Sequence, residues 1–152
     1  MKKSQARELA TRALNEAVRE DWPAVRKTFA EISADGRAVT FALMAWCDWT
    51  IAAQCKILGR PMPGPGEPAE VARPGWWNAE TGKITLDADA VPPAARWAGR
   101  LVAARAALDE VQWKVLVGTM PGDGFKRGEF AAALLMGCAG MYALAFPGAG
   151  AA

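Results

Sequence analysis

Histidine is missing from all 152 residues, which excludes histidine-dependent triads, histidine metal sites and imidazole proton relays. Cysteine is scarce, and Cys47, Cys55 and Cys138 do not form the close pairs that a structural zinc site needs. Each lies in an apolar stretch, where a thiol behaves as a small hydrophobe, and an odd number suits a reducing cytoplasm better than a disulfide framework. Neither sign of charge is in strong excess: 18 basic against 16 acidic residues leave a net charge of +2. Such a chain has no field to attract nucleic acid. Finally, charge of either sign is missing after Glu129, so that residues 130–152 are wholly uncharged.

What is present is 52% apolar and 22% charged residues, rich in alanine and cut by turn residues, the composition of one folded helical domain. The expected fold is all-α, a compact bundle of about five helices with a minor β-hairpin near residues 76–86. Residues 1–59 supply three helices, 60–75 a Pro/Gly loop, 76–146 the hairpin and two further helices, and 147–152 a loose tail.

The first helix is expected over residues 4–19, with Leu9, Ala13, Leu14, Ala17 and Val18 on one face. Asp21 and Trp22 turn the chain into a second helix. Pro23 stands in its tolerated first turn, and Trp22, Val25, Phe29 and Ile32 form its stripe. This pattern of Ala13-Leu14, a tight turn before Trp22-Pro23, and Phe29 resembles a single tetratricopeptide-type repeat. No second copy follows at the period of about 34 residues, so the resemblance implies a helical hairpin and no function.

After Asp35-Gly36 a third helix is predicted over residues 38–58, stopped by Gly59 and Pro61. It carries Val39, Leu43, Trp46, Thr50, Ala53 and Ile57 along one stripe. Phe41, Met44, Ala45, Ala52 and Cys55 make the other side apolar, so it belongs in the middle of the fold. A fourth helix is expected from Pro92 or Pro93 to about residue 117, with Trp97, Leu101, Ala104, Leu108, Val111 and Val115 in steps of four and three.

Residues 130–146 predict a last helix. It would be about 26 Å long, short of the ~30 Å hydrocarbon core of a bilayer. Six alanines and two glycines weaken its transfer energy, and Pro147-Gly148 ends it. We expect a core helix beside the Trp46 and Trp97 helices, in a soluble cytoplasmic protein. A tail anchor is the rival reading, with Lys126 and Arg127 as its basic flank. Lys2 and Lys3 could open a signal peptide, but Arg7, Glu8 and Arg12 interrupt any apolar run behind them, so secretion is not expected.

Few residues carry chemistry. Gly82-Lys83 superficially matches a phosphate loop, but Gly75 is out of place and Ile84 stands where Ser or Thr is required. Arg96, Arg100 and Arg105 lack interleaved aromatics and have Asp109 nearby, so they read as a solvated face. Asp48 is the one charge between Ala38 and Gln54. It is either a ligand-orienting acid in an aromatic pocket with Trp46, Trp49 and Arg105, or an ordinary polar bond whose mate is Arg105, Lys114 or Lys56. Among seven tryptophans, Trp46, Trp97 and Trp113 fit core stripes, whereas adjacent Trp76 and Trp77 cannot share one side of a strand. One of those two is expected at a partner contact.

These observations lean toward a non-enzymatic interaction or accessory protein, with the composition of a bacterial or phage chain. We expect no cofactor, no metal and no nucleic acid, and a protein partner or a second copy, most simply in a homodimer. The alternatives are a small-molecule-binding protein or enzyme built around Asp48, and the tail-anchored membrane protein.

Overall fold

The computed structural model describes residues 1–69, 76–78, 83–85 and 88–149, the side chains of 76–78, 83–85 and 88 excepted. Among these the chain is all-helical in class, with six α-helices: α1 (Lys3–Val18), α2 (Trp22–Ser33), α3 (Gly36–Leu58), α4 (Pro93–Ala106), α5 (Glu110–Gly118) and α6 (Gly124–Ala145). A 3₁₀ turn, Ala88–Ala90, precedes α4. Two three-residue strands, β1 (Trp76–Asn78) and β2 (Lys83–Thr85), pair antiparallel with Trp77 opposite Ile84; residues 79–82 between them lie outside the described residues. So do residues 70–75, the second part of the expected Pro/Gly loop, and 150–152 of the expected tail.

One apolar cluster draws on every helix, and α6 packs against α1, α3 and α4. Alanine makes the close approaches possible. Ala6, Ala10, Ala13 and Ala17 follow one another along the buried face of α1, and a methyl side chain lets the α3 backbone come near. Into that contact goes Trp46 of α3, 1% exposed, whose indole N–H donates to the Ala10 carbonyl at 3.1 Å and whose ring stacks on Phe29 of α2. Trp97 of α4 serves the other half in the same way. Its N–H donates to the Leu116 carbonyl of α5 at 2.8 Å, and its ring tilts against Phe130 of α6 at 5.5 Å. A buried indole needs a partner for its N–H. Here a backbone carbonyl of another helix supplies it each time.

The expected fourth helix is two helices. Leu108 takes a left-handed conformation (φ 56°), and the Asp109 N–H donates back to the Ala104 carbonyl at 3.0 Å, which closes α4; the Asp109 side chain then accepts from the Gln112 N–H and opens α5. The same device joins α1 to α2. Glu20 is left-handed (φ 59°), the Asp21 N–H reaches the Glu16 carbonyl at 2.9 Å, and the Asp21 carboxylate caps Ala24. The break resets the helical phase, so the expected stripe stays buried only through Ala104. Leu108, Val111 and Val115 are exposed, while Trp113, Leu116 and Val117 turn inward. On the other helices, Trp22 and Ile57 also leave their expected stripes for the surface.

α6 departs from expectation at its start and in its surroundings. It begins six residues before Phe130, at Gly124, because the Asp123 carboxylate accepts from the Phe125 N–H at 2.9 Å and caps it there. It is also not enclosed. Leu134, Leu135 and Cys138 are buried, yet Phe125, Met136 and Leu144 on the opposite side are exposed.

Glu16 is 7% exposed in the α1–α2 hairpin, with the Thr28 hydroxyl 2.8 Å from one carboxylate oxygen and 3.0 Å from the other. Removing the donor leaves a buried carboxylate short of its bond. Thr28→Val is expected to cost about 1–3 kcal/mol in urea unfolding followed by circular dichroism, with Thr28→Ser retaining most of the loss.

Candidate functional site

α3 turns about 100° per residue, so Trp46 and Asp48 leave the helix in different directions. The structure places them accordingly. Trp46 points into the core toward α1 and α2, whereas Asp48 emerges on the α4 side and meets Arg105. The ion pair is two-pronged: Nε of Arg105 donates to Oδ1 at 2.8 Å and Nη2 to Oδ2 at 3.1 Å. The Arg105 guanidinium also lies 5.9 Å from the Trp113 ring centre, on α5. The carboxylate holds the Arg105 pKa above its ordinary value. Trp49 is half-buried against the core.

Of the four residues expected around a pocket, Asp48 and Arg105 are brought together, and Trp46 is closed off from them inside the core. The pair is open to water, with Asp48 51% and Arg105 30% exposed. Its carboxylate is already neutralised by a planar cation. Chemically the arrangement ties α3, α4 and α5 together at the α4–α5 break. The side chains of Trp76 and Trp77, expected at a partner contact, lie outside the described residues.

Two other regions carry polar groups. Cys47 and Thr50 of α3 and Cys138 of α6 are all buried. Burial pushes the Cys47 thiol well up, reinforced by Cys138 and Asp48, and it pushes Cys138 up to about 12, partly offset by a hydrogen bond with Thr50. Both stay protonated at neutral pH and are poor nucleophiles. The second region is an open groove of about 670 Å³ lined by Met1, Lys2, Lys3, Gly36, Arg37, Thr40 and Phe41. Lys3 sits 5.6 Å from the Phe41 ring centre, and Asp35 at the groove's edge is held low by the terminal ammonium 2.9 Å away and by the Arg37 N–H. Among the described residues no three metal-ligating side chains converge.

Among the described residues, the outward face of α6 is a further feature. Phe125, Glu129, Ala132, Ala133, Met136, Gly137, Gly140, Ala143 and Leu144 follow helical spacing along the side opposite Leu134, Leu135 and Cys138. Phe125 is 76% exposed, and a Cβ built on Gly137 meets nothing within 4 Å. The uncharged run was legible in the sequence. Its division into a packed and an open face was not, because apolar residues occur on all sides. Trp113 was missed as a neighbour of Arg105 because the helix was read through the break. The signal was there in Asp109 followed three residues later by Gln112, a capping pattern.

Comparison with known protein families, with curated proteins and with solved structures finds no match to this chain.

Two outcomes follow from this chemistry. Asp48→Ala is expected to lower stability by no more than about 1 kcal/mol, as for other solvent-exposed ion pairs, read by thermal melting. Native protein should leave all three thiols unreacted with a colorimetric disulfide reagent, and protein unfolded in guanidinium should expose three.

Proposed function

We propose that this chain is a non-enzymatic helical interaction protein that assembles with a second copy of itself through the outward face of α6, as the compact bundle of a homodimer. One observation carries the reading: α6 is apolar and uncharged from Phe130 onward, but only 33% of its most apolar eighteen-residue window is buried within the chain. An apolar surface running along a long helix favours association in water, whatever its partner. Gly137 and Gly140 lower helix propensity by about 1 kcal/mol each relative to alanine. With open space over Gly137, no contact with another described residue accounts for the cost there. A neighbouring helix lying close against the glycines would.

Against an enzymatic reading stand the lack of histidine, the protonated buried thiols and the already paired Asp48. The membrane reading draws on the same helix, since α6 is long and apolar enough to cross a bilayer. To do so it would have to leave α1, α3 and α4. That would expose Leu134, Leu135 and Cys138 together with their partners, at about 1.5–3 kcal/mol for each large side chain.

Protein prepared without detergent and passed over a sizing column with light scattering should give a dimer, twice the 16.2 kDa of the chain. Gly137→Leu should give the monomer mass with helical circular dichroism retained, since the added side chain meets open space in the single chain and a clash in the pair. A monomeric wild type, or recovery only with membranes, would reject the proposal.

A further inference from the structure

Three cations border the groove where α1 and α3 begin, and the fold gives them no counter-charge. Lys2, Lys3 and Arg37 are exposed along its walls, and none takes part in an ion pair among the described residues. The Asp35 carboxylate at the groove's edge is already engaged. One of its oxygens meets the terminal ammonium at 2.9 Å, and the other accepts from the Arg37 N–H at 2.9 Å. Those two bonds tie the start of α1 to the start of α3. Within α1 the Lys2 N–H donates to Gln5 Oε1 at 3.1 Å, and the Lys3 ammonium is held 5.6 Å from the Phe41 ring centre on α3. The helix starts that carry the cations are thus kept together by contacts that leave the positive charge standing.

Like charges gathered in this way repel one another, and an anion placed among them relieves the repulsion. With Asp35 balanced by the terminal ammonium, three positive charges remain to be met. A carboxylate meets one. A phosphate group carries about 1.5–2 negative charges at neutral pH and three acceptor oxygens, so two phosphates match all three cations. Arg37 presents a fork of N–H donors suited to such oxygens, and the lysine ammonium groups act beside it as point charges. The groove's volume of about 670 Å³ lies within the range of ~300–1,000 Å³ usual for small-molecule sites, and the half-buried Phe41 ring gives it an apolar wall. The argument rests on side chains, because Asp35 already accepts from the N–H groups of Arg37 and Ala38 at the start of α3. No residue of α6 lines the groove, so the site does not depend on the self-assembly proposed above. We propose that this groove binds a compact group of two phosphates, on a soluble compound or a lipid headgroup, with Lys2, Lys3 and Arg37 as its counter-charges.

The test is titration calorimetry of the full chain with pyrophosphate, against sodium chloride at matched ionic strength. Wild-type protein should bind one equivalent, and added salt should weaken the binding. Lys2→Gln with Lys3→Gln, and Arg37→Gln alone, alter exposed groups and should retain the helical circular dichroism. Each should weaken binding about tenfold. Arg26→Gln with Lys27→Gln removes the same charge as the lysine pair from exposed positions of α2, and should leave the constant within about twofold of wild type. Capture by phosphatidylcholine vesicles containing phosphatidylinositol bisphosphate, reversed by pyrophosphate, assigns the phosphates to a lipid. Pyrophosphate binding without such capture assigns them to a soluble compound. No heat beyond the chloride control, unchanged constants in the groove variants, or an equal loss in the α2 variant overturns the site.

Discussion

The packing of this protein depends on two buried indoles, each of which must find a hydrogen-bond acceptor where no water can serve. Trp46 takes the Ala10 carbonyl and Trp97 the Leu116 carbonyl, and both acceptors belong to backbones of other helices. A ring of that size cannot shift far without losing the bond, so each indole sets the separation and rotation of two helices. The alanines of α1 let Trp46 do this at close range, and Phe29 closes the far side of its ring. On the other half, Phe130 brings α6 against Trp97, so both indoles act on helices that share α6 as a neighbour.

Helix α6 therefore has two roles on one cylinder. Leu134, Leu135 and Cys138 complete the core, while Phe125, Met136 and Leu144 on the other side are exposed. The open side is the surface on which the proposed self-association rests. Among the described residues, the polar clusters around Asp48 and Cys47 are already satisfied within the fold. Asp48 and Arg105 neutralise one another, and the thiols of Cys47 and Cys138 are enclosed and protonated.

The helix ends explain where the reading from sequence holds and where it does not. Gly59 announces the end of α3, because glycine adopts the left-handed conformation (φ 66°) at no steric cost. Glu20 and Leu108 adopt nearly the same conformation but are ordinary helix formers by propensity. At Asp21 the following Pro23 gave the turn away. At Asp109 the cue was only the capping pattern of Asp109 with Gln112, and the apolar stripe ran on across it in perfect spacing. The continuous helix expected there was a local pattern overruled by one left-handed residue, and with it went the side on which Trp113 lies.

By itself, the amino-acid sequence determined the all-α class, the middle position of α3, the uncharged character of α6 and the exclusion of histidine chemistry, since these follow from composition and from periodicities within one segment. It also limited the mate of Asp48 to a few basic residues. Tertiary structure alone decided that Arg105 is that mate, that Glu16 is buried against Thr28, that Trp46 and Asp48 face different neighbours, and that half of α6 is open. The physical reason is the same in each case. Propensity and hydropathy act along the chain, whereas burial depends on which helix arrives at which face, and a helix apolar on every side carries no instruction about which side will be covered.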